Sequence, residues 1–217
     1  MGAVPLTFLP ELNVILAYTA AALVLIITPG PDMTLFLGQT LTGGRARGFA
    51  SMLGVSAGLV LHSVLAAFGL SALLAASVTA FSVLKVAGIA YLIWLAVQSL
   101  RHGSALRLAP DASSPTLRRA FLTGLGVNLL NPKIIVFFLT FLPQFVSVSD
   151  PHAGAKLMFL GLYFIALGVP ICGCLILLAE RFTGAIRRSP KAMRAIDYLF
   201  AGLMGAFAVR LLFARAD

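Results

Sequence analysis

The chain has 217 residues, of which 60% are hydrophobic and only 11% charged, with a mean hydropathy of +1.01. Too few polar residues are present to cover a water-soluble fold of this size, so lipid is the solvent that the composition fits. The formal net charge of +9 comes from basic residues in short clusters between long apolar runs, which excludes a basic nucleic-acid-binding domain and points to membrane topology.

The first apolar stretch, Leu12–Thr42, carries one charge, Asp32, and is broken by Thr28-Pro29-Gly30-Pro31. Each proline lacks an N–H and clashes backwards, so the stretch predicts a helix, an interruption and a second half-helix. No basic leader region or small-residue cleavage site precedes it, and no cleaved signal peptide is expected. After Arg45 and Arg47, Phe49–Leu84 and Val86–Leu100 predict two spans, with Lys85 between them and a turn near Ser77–Ser82. On the first of these, Gly54 and Gly58 stand four residues apart, the spacing of a close helix contact, and His62 continues that face. A packing histidine is the favoured reading there, ahead of a proton relay.

A polar linker follows, about 102–118. Ala120–Ser149 is apolar but for Lys133 and is broken at Asn131-Pro132. Asparagine caps, proline takes the first helical position and the helix resumes. Leu157–Ala179 reads as a clean span, and Ala195–Phe213 closes the chain. Cys172 and Cys174 read as small buried hydrophobes, because no further ligands stand near them.

The fold class expected is therefore an all-α integral membrane protein of six hydrophobic helical segments. The whole chain, 1–217, makes one transporter domain. Repeat one covers about 11–101 and repeat two about 119–217, inverted relative to each other, each opening with a proline-broken first helix. That plan is the one used by secondary transporters. Eleven of the 16 Lys and Arg residues fall in the loops after segments one, three and five, which places both termini outside the cytoplasm.

Both breaks are candidate sites. A helix restart inside a membrane leaves free N–H groups and a positive dipole end, tolerated only against protein or a wet cavity. An intramembrane ion such as Lys133 costs about 2.5–3.5 kcal/mol at a helix centre on insertion scales, so it needs an interior partner. The substrate-binding or coupling candidates are Pro29, Gly30, Pro31, Asp32, Lys85, Asn128, Asn131, Pro132 and Lys133. For Lys85, snorkelling at a helix end and function weigh equally. No Ser-His-Asp set, metal cluster or phosphate loop is present, so neither an enzyme nor a cofactor is expected.

Thr-Pro-Gly-Pro-Asp at 28–32, Leu84-Lys85-Val86-Ala87-Gly88 with Tyr91-Leu92 and Trp94-Leu95, and Asn131-Pro132-Lys133 ahead of Phe137-Phe138 and Phe141-Leu142-Pro143-Gln144-Phe145 resemble the lysine exporter (LysE/RhtB) family of amino-acid efflux proteins. The resemblance runs over nearly the whole chain. It implies proton-gradient-driven export of an amino acid or close analogue from the bacterial cytoplasm, through the inner membrane. Expected partners are the amino acid, protons and the lipid bilayer; a homo-oligomer is left open, and no nucleic acid is expected. The alternative is a channel or metal-cation exporter on a similar scaffold, for which only Asp32 and His62 offer cavity-facing ligands.

Overall fold

The computed structural model describes residues 9–70, 116–147 and 150–179, together with parts of 86–101 and of 181–209. All regular structure in them is helical. Helix α1 (Leu12–Ile27) ends at the Thr28-Pro29 break, and α2 (Pro31–Gly43) restarts with proline in its first turn and extended Gly30 as its N-cap. After Gly44, α3 (Arg45–Leu65) continues through a π turn, Ala66–Leu70.

The second half repeats the device. Helix α4 (Leu117–Leu129) stops just before Asn131-Pro132, and α5 (Pro132–Val136) restarts there. The Asn131 Oδ1 accepts the Lys133 N–H at 3.0 Å, so the expected asparagine cap is formed. The chain then runs on as a π turn, Phe137–Phe141, and a 3₁₀ turn, Leu142–Phe145. Helix α6 (Ala153–Leu177) follows, with Pro170 inside it. The described residues of 86–101 and of 191–209 are helical as well, which completes the six-segment, all-α plan. The turn near Ser77–Ser82 lies outside the described residues.

The 25-residue stretches Arg45–Gly69 and Ala153–Leu177 are each long and apolar enough to cross a bilayer. The two broken pairs bend by 49° and 50° at their breaks. Each pair keeps running forward across its break, and taken together each is long and apolar enough for one broken span.

Close approach between α3 and α4 sets the middle of the molecule. A side chain at Gly54 would overlap the Phe121 carbonyl, and one at Gly58 would overlap the Asn128 side-chain amide. Gly124 on α4 lies in the same way against the Ser51 carbonyl. The Gly54–Gly58 spacing thus does what small residues do in membranes, letting two backbones meet. It joins a helix of the first half to the broken helix of the second.

The cysteine expectation needs correction. Cys174 is exposed, while Cys172 is partly buried and packs against the core. At Cys174 an outward-facing thiol meets lipid, which is as apolar as a core, so nothing forces it inside.

Candidate functional site

The two breaks face each other across the interior. Helix α1 loses its next hydrogen bond at Pro29, because the residue that would donate to the Leu25 carbonyl has no N–H. Lys133, second residue of α5, fills that gap. Its Nζ donates to the Leu25 carbonyl at 3.0 Å and to the Thr28 carbonyl at 2.8 Å. A cation thus sits at the negative end of a half-helix, the favourable polarity for a helix dipole. The lysine stem runs beside Gly30, at a distance where a Cβ would make only ordinary van der Waals contact with it.

Asp32 is the second residue of α2, the position in the first half that Lys133 holds in the second. Its Oδ2 accepts from the Asn128 side-chain amide at 2.9 Å. Asn128 is fully buried near the end of α4. The acid of the first half is therefore held by an amide of the second, and the lysine of the second half by carbonyls of the first. Asp32 and Lys133 feel each other's charge, and each is hydrogen-bonded to the opposite half. The Asn131 side chain also lies close enough to favour the Asp32 carboxylate, while the buried Oδ1 of Asp32 makes no hydrogen bond of good geometry among the described residues.

Both charges line one cavity of about 80 Å³. That volume holds several waters or a small solute, at about 10–15 Å³ per water position. Gly30, Thr28 and Asn131 complete its polar end; Met33, Phe36, Met52, Val55, Phe164 and Ile165 make the rest apolar. Ser56 and Cys172 add the two further polar side chains.

Eight of the nine candidates gather here in different roles. Gly30, Asp32, Asn131 and Lys133 line the cavity, and Asn128 backs Asp32. Pro29 is buried, while Pro31 and Pro132 are exposed and act through the backbone they terminate and restart. Lys85 lies outside the described residues. His62 stacks on Phe138, with centroids 5.5 Å apart and planes at 22°, as the packing reading requires. Its Nε2 is buried without a partner among the described residues. Sequence reasoning missed Ser56, Cys172 and the apolar wall, because those residue types occur throughout every span. Pro170, two residues from Cys172, was the one signal that α6 bends its hydrogen bonding near the site.

The model of LysE type translocators matches residues 23–215. The chain belongs to this family. The relatives agree with that placement. The homoserine/homoserine lactone efflux protein of Salmonella typhimurium is 34% identical over 199 residues, covering 92% of this chain and 96% of the relative. The leucine efflux protein of Enterobacter sp. is 31% identical over 205 residues, 89% and 92% of the two chains. A membrane protein of Vibrio cholerae with no assigned activity is 30% identical over 210 residues, 95% of this chain and all of the relative. No solved structure matches. This LysE-type translocator is a multi-pass transport protein of bacterial type, and its spans are helical, the architecture of the inner membrane rather than the barrel of the outer one.

Proposed function

We propose that this translocator exports a neutral amino acid, or a close derivative of one, from the cytoplasm in exchange for protons. The observation that carries the reading is the open Asp32 Oδ1 in the same cavity as the Lys133 ammonium. A zwitterion has one carboxylate and one ammonium, and the cavity offers one partner for each. The substrate carboxylate pairs with Lys133, which keeps its carbonyl anchors, and the substrate ammonium takes the free oxygen of Asp32. The remaining wall is apolar or carries only the uncharged Thr28, Ser56, Asn131 and Cys172, so a basic side chain would bring a third charge with no ionic partner, at a cost of several kcal/mol. The relatives named for homoserine/homoserine lactone and for leucine efflux support the same class, a neutral amino acid or close derivative, since none of these solutes carries a charged side chain.

Proton coupling follows from competition. A proton on Asp32 removes the charge that holds the substrate ammonium, so proton and substrate exclude each other from one carboxylate. Exchange then needs only that the cavity open to one face at a time, which the two facing half-helices allow by rocking about their breaks. Asp32, Lys133, Asn128 and Asn131 are the binding and coupling residues in this reading. Pro29, Gly30, Pro31 and Pro132 shape the backbone around them. Repeat one is read as about 11–101 and repeat two as about 119–217.

The test is counterflow in proteoliposomes loaded with unlabelled amino acids, with labelled homoserine, leucine and lysine outside in turn. Accumulation of the neutral labels and not of lysine is expected. Counterflow of lysine alone would refute the neutral class, and insensitivity of neutral counterflow to an imposed pH difference would refute proton exchange.

A further inference from the structure

Along the chain, a layer of aromatic side chains stands between the residues of the central cavity and those of a second hollow. On α1, Leu25 lines the cavity, Tyr18 stands in the layer and Asn13 lines the outer hollow. At 1.5 Å per residue these levels are about 10 Å and then about 7 Å apart. The second half shows the same order: Ile134 at the cavity, Phe137 and Phe141 in the layer, Gln144 and Ser147 at the outer hollow. Two independent strands of chain therefore give one sequence of levels: cavity, aromatic layer, vestibule.

The layer is tight. The Tyr18 ring lies 6.3 Å from Phe137, 6.4 Å from Phe141 and 5.2 Å from Phe145, the last edge-on at 85°. Phe137 also meets Phe164, which lines the cavity, at 4.6 Å. Tyr18 is fully buried, and its hydroxyl donates to the Leu160 carbonyl of α6 at 2.9 Å. Phe145 belongs to both the layer and the vestibule wall. The segment that supplies three of these rings is not wound as an α-helix: it is a π turn over Phe137–Phe141 followed by a 3₁₀ turn over Leu142–Phe145. Such windings hold their hydrogen bonds less well than an α-helix and mark functional hinges.

We propose that Tyr18, Phe141 and Phe145 form the gate between the central cavity and the vestibule, latched by the hydroxyl of Tyr18 on Leu160 and opened by rewinding of Phe137–Phe145. The proposal rests on the central cavity lying on the transport path. A change of winding rotates the phenylalanines out of the layer together, and the tyrosine then loses the rings it packs against.

Cys172 in the cavity wall reports on the gate without any substrate. In a Cys174→Ala background, the labelling rate of Cys172 by a membrane-impermeant maleimide is measured from each face of the membrane. A separate Asn13→Cys variant identifies the vestibule face. Tyr18→Phe keeps the ring and removes only the latch; Phe145→Ala removes one ring. Each is expected to raise the rate at Cys172 tenfold or more from the vestibule face and to leave the other face unchanged. Rates within twofold of the parent, or an equal rise from both faces, would overturn the gate. If Phe145→Ala does not insert, Tyr18→Phe decides alone. Because the readout is a thiol reaction, it stands or falls separately from the identity of the substrate.

Discussion

Two ions hold equivalent places in the two breaks, one residue each. Lys133 satisfies the carbonyls of Leu25 and Thr28. Lys133→Met should therefore leave both without their donor, at about 1–3 kcal/mol each where no water replaces it. Asp32→Asn keeps a hydrogen-bond acceptor for Asn128 but loses the charge, and is expected to cost less stability than Lys133→Met while still stopping transport. Since each ion has its own anchor, the double change should show a coupling of about 0.5–3 kcal/mol through their shared field rather than a full rescue. Thermal melts in detergent of the two single variants and the double one measure this, and strict additivity would show that the charges do not share a site. Asp32, Lys133 and the amides stood out in the sequence because charge and asparagine are rare inside spans, and the structure brings them together. Their partners did not stand out, because a lysine's backbone acceptors on a distant helix leave no trace in residue type. The interior partner that Lys133 requires is supplied by the break itself, through the carbonyl that Pro29 frees.

At the scale of elements, the breaks and the glycine contact carry the argument. Replacing Pro29 with Ala restores an N–H that claims the Leu25 carbonyl, in direct competition with Lys133. The double change Pro29→Ala, Pro31→Ala is expected to insert normally, straighten the 49° bend and abolish export. Retained export would reduce the break to a tolerated kink. Gly58 faces the Asn128 amide without room for a side chain, whereas Gly126 faces open space. Gly58→Ala should thus cost about 1–3 kcal/mol by overpacking and disturb the amide that holds Asp32. Gly126→Ala should be close to neutral, and equal melting temperatures for the two variants would contradict the packing assigned here. Both breaks and the small-residue contact could be read from local chemistry, since proline and glycine act on the backbone that carries them. The π and 3₁₀ windings of Phe137–Phe145 could not, because neither has a residue signature apart from Pro143.

In the whole molecule, the two long apolar helices and the two bent pairs fit the six-segment plan, and an even number of crossings would put both ends on one side. The loop charges predict which side: cysteines introduced at Ser113 and Ser189 should label from the cytoplasm, and one at Pro151 only from the opposite face, in a background without Cys172 and Cys174. Labelling at Pro151 from the cytoplasm alone would invert the model. At the loop ahead of α6, Asp150 pairs with Lys156 and accepts the His152 N–H, which holds its carboxyl below the ordinary aspartate range. A depressed carboxyl contributes stability above its unfolded value, lost only as the pH falls through the lower folded one; mild acid should therefore leave this loop intact. The central claim is that Asp32 and Lys133, brought from opposite halves into one cavity, bind the zwitterion that is exported. The most direct measurement is counterflow of labelled homoserine and leucine in proteoliposomes carrying the parent protein, Asp32→Asn or Lys133→Gln, at matched amounts of folded protein. The account predicts counterflow by the parent and none by either variant; counterflow at the parent rate in either variant would contradict it.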